Sequence, residues 1–138
     1  MSEADEILIV TRDWVIKAEN DLKNAAYTLG MGDDCPTNTV CFHAQQCVEK
    51  YLKAFLSLNY IDFPKTHDIK ELIARMPRDS RPLLTPEEQR RLTDYATVTR
   101  YPGDYEPIPL AETKRAVAIA RRVRNHVRKQ LPKAVLKR

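Results

Sequence analysis

Glycine is nearly missing from this chain, with three residues in 138, and no glycine-rich run is present that would wrap a phosphate in the manner of a P-loop. Long apolar runs are missing too, since no stretch reaches the ~18–20 consecutive apolar residues that cross a bilayer. The opening segment MSEADE is acidic, unlike the basic start of a signal peptide, so the expectation is a soluble, cytoplasmic protein with no membrane partner. Cysteine is scarce and odd in number: Cys35, Cys41 and Cys47 follow one another at intervals of six, with no CxxC pair and no histidine at metal-ligand spacing. All three read as reduced packing residues, and neither a metal nor another cofactor is expected. A Ser-His-Asp arrangement and carboxylates paired at helical spacing are lacking as well. Nothing alternates with period two, which leaves no strand to predict.

What is present is helical periodicity, strongest from Val40 to Leu58, VCFHAQQCVEKYLKAFLSL, which contains neither glycine nor proline. On a 100° wheel its apolar residues fill an arc of about 160°, while Gln45, Gln46, Glu49, Lys50, Lys53 and His43 crowd the rest. His43 and Lys50, seven residues apart, are almost superimposed at the edge of the polar arc. Phe42 and Leu56 fall on that polar side. As a pair they suggest a second burial surface, a dimer interface or other protein contact.

Other elements flank this central helix. Trp14, Ala18, Leu22, Ala25 and Leu29 recur at steps of three and four after Thr11, a plausible N-cap, and the helix ends at Gly30. Thr66 is a plausible cap for a short helix carrying Ile69, Leu72, Ile73 and Met76, closed by Pro77. Thr85-Pro86-Glu87-Glu88 has the form of a capping box with proline at N1, and it opens a fourth helix with Leu92 and Tyr95 inward. The segment 99–109 holds three prolines and a glycine and is read as a loop, and a fifth helix spans about 111–131. Together these predict an all-α, up-and-down antiparallel bundle of about five helices over residues 11–131. Residues 1–10 form an arm or an extension of the first helix, and 132–138 form a basic tail.

Charge is distributed unevenly. From Ala111 to Arg138 there are ten Lys or Arg and one acid, a net +9, which leaves −5 for the rest of a chain whose total is +4. A basic segment on an acidic body points to an anionic partner, whether nucleic acid, nucleotide or acidic protein.

Three pieces in this order, FHAQQCVEKYLKAFL at 42–56, KTHDI at 65–69, and Tyr95 followed by Thr99-Arg100-Tyr101-Pro102-Gly103, closely resemble the HEPN (higher eukaryotes and prokaryotes nucleotide-binding) domain family. The resemblance implies a helical bundle, usually homodimeric, that binds nucleotides or RNA and is often encoded beside a minimal nucleotidyltransferase. It also implies a toxin–antitoxin setting, because some members are metal-independent ribonucleases carrying an Arg and a His four to six positions further on. Arg121 and His126 fit that spacing, although residues five apart in a helix point 140° from one another, and a solvated basic face is the alternative. In a second alignment Arg100 supplies the arginine and Tyr105 stands where the histidine would be. A phenol with a pKa near 10 is a poor base, so binding survives there without cleavage.

Binding chemistry is available in the same segment. Arg100 offers a bidentate guanidinium to a phosphate, and Tyr101 and Tyr105 offer faces for a base to stack on, with packing over helix ends as the alternative. His43 and Lys50 would add a second phosphate contact, or His43 is a hydrogen-bonded border residue. His67 and Asp68 are read as helix-starting residues. Three functions remain open at this level: a dimeric nucleotide- or RNA-binding module, a ribonuclease toxin, and a non-catalytic protein-interaction subunit.

Overall fold

A computed structural model describes residues 1–98 and 106–136 of the chain. The described residues form six α-helices and no strand: α1 (Glu3–Leu29), α2 (Thr37–Leu58), α3 (Ile69–Ala74), α4 (Pro86–Thr97), α5 (Leu110–Arg128) and α6 (Lys133–Leu136). The all-α bundle is therefore as read from the sequence, with several boundaries moved.

The first helix starts nine residues earlier than its periodicity suggested, with its cap at Ser2 and not Thr11. Ser2 caps it: its Oγ accepts from the Asp5 N–H while the Asp5 carboxylate accepts from the Ser2 N–H, a reciprocal capping box. Thr11 is buried inside the helix instead of capping it, and its hydroxyl donates to the Ile7 carbonyl at 2.7 Å. Residues 3–10 are thus a helix extension. The basic tail is not all tail either, because Pro132 ends α5 and allows α6, whose Val135 is buried. Asp68 takes the cap of α3 in place of Thr66, accepting from the Glu71 N–H. The capping box at Thr85 and Glu88 forms as expected, at 3.0 and 2.9 Å.

Helix α2 is the axis on which α1, α3, α4 and α5 all pack. Its apolar arc meets Val15, Ala18, Leu22 and Ala25 of α1 and Ala116, Val117, Ala120, Val123 and Val127 of α5 in one core. The sequence wheel fails on the other side. Gln45, Gln46, Glu49, Lys53 and Leu56 are buried as well, because the segment after α2 folds back over that face. The Phe63 ring meets Trp14 edge-on at 6.5 Å, and His67 lies against Glu49. Leu56 is fully buried within the monomer, so Phe42 and Leu56 do not form a surface pair, and only Phe42 keeps exposed area. The wheel placed Leu56 among polar residues, but tertiary packing decided what that face meets.

The return is made by a Schellman turn. The Ile61 N–H donates to the Leu56 carbonyl at 2.9 Å and the Tyr60 N–H to Ser57 at 3.1 Å, with Tyr60 at φ 57°. A bulky residue is strained in the left-handed region, where glycine is at ease. Since the Tyr60 side chain is mostly exposed, Tyr60→Gly should stabilise the protein by about 0.5–1 kcal/mol in urea denaturation, the relieved strain outweighing glycine's entropy. An unchanged or lowered midpoint would show that the ring is held by packing.

Candidate functional site

Helices α4 and α5 both rest on α2 and leave a cleft of about 560 Å3 between them. The lining follows from two stripes at helical spacing. Glu87, Glu88, Arg91, Leu92 and Tyr95 recur along α4, and Glu112, Arg115, Ala116, Ile119 and Arg122 along α5. Leu92, Ala116 and Ile119 make an apolar floor, and guanidiniums and carboxylates make the walls.

Side chains bridge the gap. The Tyr95 hydroxyl donates to Glu112 Oε2 at 2.6 Å, Arg91 reaches Glu112 Oε1 at 3.0 Å and Glu87 at 3.0 Å, and Arg122 reaches both Glu88 oxygens at 3.1 and 3.2 Å. Burial first, then the bond to Glu112, push the Tyr95 phenol up, so it stays a donor. The Thr85 N–H holds Glu88 below the usual carboxylate range; burial opposes this and Arg122 reinforces it. Arg115 is exposed at the rim, and among the described residues no salt bridge involves it. The cleft therefore presents apolar surface, an aromatic edge and guanidiniums, with carboxylate lone pairs left over. A ligand that is part flat ring, part hydroxyl and part anion suits it. A smaller hollow beyond Tyr95 is lined by Asn38 of α2 and by Asp94, Val98 and Ile108, which lie on either side of the segment 99–105 in sequence.

The sequence matches the HEPN domain over residues 11–130. The chain belongs to the HEPN family. Two solved structures resemble this HEPN chain along nearly its whole length. One is TT1696 from Thermus thermophilus, 28% identical, covering 88% of this chain and 98% of its own, with a TM-score of 0.68. The other is ST0689, an archaeal HEPN homologue, 27% identical over 87% of this chain and 96% of its own, with a TM-score of 0.69. No curated protein matches the sequence.

The residues singled out from the sequence fall at separate places in the HEPN bundle. Arg100, Tyr101 and Tyr105 lie outside the described residues. His43 and Lys50 are brought together, on a carboxylate: His43 Nδ1 donates to Asp21 Oδ1 at 2.8 Å and Lys50 Nζ to Oδ2 at 2.6 Å. Asp21 neutralises the pair that would have met a phosphate. Arg121 is exposed on α5, whereas His126 turns to the α3–α4 connection, where its Nε2 donates to the Ser80 carbonyl at 2.8 Å. A carbonyl only accepts, so Nε2 carries the proton and is unavailable as a base.

Part of the basic face is likewise committed. Arg124 grips Glu19 with two nitrogens at 2.8 and 2.9 Å, Tyr51 donates to the same carboxylate at 2.6 Å, and Arg128 reaches the Tyr51 hydroxyl at 3.2 Å. Burial would raise Glu19, but the bonds from Arg124 and Tyr51 hold it below its ordinary value. The cysteines are free and buried, and burial pushes the Cys41 thiol up to about 11 and the Cys47 thiol further, which keeps both inert. The cleft itself was not legible as a site from the sequence. Its signal was the matching i, i+3, i+4, i+7 stripes on two helices, but the gap between them is a tertiary fact.

Proposed function

We propose that this HEPN protein binds nucleotides or RNA at the α4–α5 cleft together with Arg100, Tyr101 and Tyr105 of the segment that joins the two helices. The observation that carries the reading is the cleft: a volume within the ~300–1,000 Å3 of ordinary ligand sites, an apolar floor, and guanidiniums at its walls. Arg115 meets the phosphate, as does Arg100, and the carboxylate lone pairs accept from ribose hydroxyls or base amino groups. Family membership supports the ligand class. A homodimer, a minimal nucleotidyltransferase partner and the toxin–antitoxin setting belong to the same proposal and rest on the resemblance. Against cleavage by Arg121 and His126 stands their placement, with Arg121 exposed on α5 and the His126 ring tied to the Ser80 carbonyl of the α3–α4 connection.

Filter retention of a labelled single-stranded RNA tests this, with mononucleotides as competitors. Arg115→Ala and Arg100→Ala should each weaken retention about 10- to 150-fold, the worth of one charge-assisted contact of about 1.5–3 kcal/mol. Lys23→Ala, on the exposed side of α1, should change little. Equal loss in all three variants would reduce the effect to net charge and sink the cleft as the site.

A further inference from the structure

The HEPN motif residues on α2 and before α3 assemble into a second constellation, apart from the cleft. Glu49 is buried, and its two oxygens take four donors. Gln45 Nε2 at 3.2 Å, Gln46 Nε2 at 3.3 Å and His67 Nδ1 at 2.8 Å share Oε1, and Lys53 Nζ takes Oε2 at 2.8 Å. Lys53 in turn lies 5.5 Å from the Trp14 ring centre and 5.9 Å from that of Phe63. Burial pushes the Glu49 carboxyl up, but the bonds from Lys53 and His67 outweigh it and keep the group ionised. An ionised carboxylate accepts only, so His67 holds its proton on Nδ1, and the Nε2 lone pair is the free end of the ring. The His67 side chain is 55% exposed while its carboxylate is 4% exposed. A buried, fully coordinated carboxylate orienting a half-exposed imidazole through one ring nitrogen is the arrangement of a general base.

The surroundings suit a nucleic acid strand. Phe42, 39% exposed, lies one turn of α2 before Gln46, about 6 Å along the helix, and offers a face for base stacking. Lys65 and Lys70 are exposed on either side of His67 in sequence and offer phosphate contacts.

We propose that His67 is a catalytic base toward RNA and that Glu49 is its positioning residue. This rests on the reading that the protein binds RNA, and it uses neither Arg121 nor His126. In the step, Nε2 takes the proton of a ribose 2′-hydroxyl as the 2′ oxygen bonds to the adjacent phosphorus. The P–O5′ bond breaks and the leaving 5′ oxygen takes a proton from water; the imidazolium then returns its proton to solvent. The products are a 2′,3′-cyclic phosphate and a 5′-hydroxyl.

The test uses the full chain, end-labelled single-stranded RNA and EDTA, with filter retention measured beside cleavage. Wild type should yield cyclic-phosphate ends. His67→Asn should slow cleavage about 100-fold or more with retention and thermal midpoint unchanged, the usual worth of a general base. Histidine 15N spectra should show the Nδ1–H tautomer at His67 in wild type and its loss in the double variant Glu49→Leu, Lys53→Met, which removes the acceptor; mere destabilisation does not produce that change. RNA retained but left intact by wild type would overturn the catalytic assignment and leave the binding reading standing. Cleavage by His67→Asn at the wild-type rate would overturn it as well, and absence of retention would remove the binding reading and this inference with it.

Discussion

Glu49→Ala should lower the unfolding free energy by about 3–5 kcal/mol, the range for removing one partner of a buried ion pair. The reason is what stays behind. Lys53 is 7% exposed and would keep its charge without a counter-ion, and Gln45 and Gln46 would lose acceptors inside the protein. A double variant, Glu49→Leu with Lys53→Met, should recover most of the loss, because apolar residues of similar volume remove both charges together. Urea denaturation of the two variants checks this. A single variant within about 1 kcal/mol of wild type would mean that water reaches Lys53 and that the network is not closed.

Acid should act through the same residue. Glu49 and Glu19 both have folded-state pKa values below the ordinary 4.5, so each contributes stability that is fully present above that value. The contribution is lost as pH falls below 4.5 through the lowered folded values. The sign is that of a paired carboxylate: the unfolded chain binds the proton more readily, so protons favour unfolding. Replacing both residues with glutamine should therefore flatten the fall in thermal midpoint over that range, while lowering stability near neutrality.

How far the sequence carried these conclusions depends on the residue. Helix existence was legible wherever apolar spacing ran for several turns, as at Ala18, Leu22 and Ala25 or at Ala116, Val123 and Val127. The capping box at Thr85 was legible because every atom it needs is local. The one at Ser2 is equally local, but the weak amphipathic signal of residues 3–10 hid the helix it starts. Partners far apart in sequence were not legible. Nothing in the wheel of α2 says that His67 will arrive to cover Glu49, or that Asp21 will stand between His43 and Lys50. The polar arc of α2, read from Phe42 and Leu56 as a second burial surface for a protein partner, is in the folded chain a second interior lined by ion pairs and covered by the chain itself. The cleft between α4 and α5 is the reverse case, a surface whose two stripes are local but whose gap depends on both helices packing on a third.

Leu56 shows the consequence most directly. Read as half of an exposed pair with Phe42, it would be a residue whose truncation changes self-association and leaves the monomer's stability alone. Fully buried beside the turn that carries the chain back over α2, it belongs to the core, and Leu56→Ala should cost about 2–5 kcal/mol through lost transfer energy and the cavity left behind. The loss should appear as a lower urea midpoint at every protein concentration, since it resides within one chain. Phe42→Ala should cost about 1 kcal/mol or less, because much of that ring already meets solvent, and its effect should be read in RNA retention. A midpoint for Leu56→Ala that rises with protein concentration toward that of wild type would instead place residue 56 at a contact between copies. The fold-back of the 59–68 segment over α2 would then have to be redrawn, and with it the coordination of Glu49 and the presentation of His67.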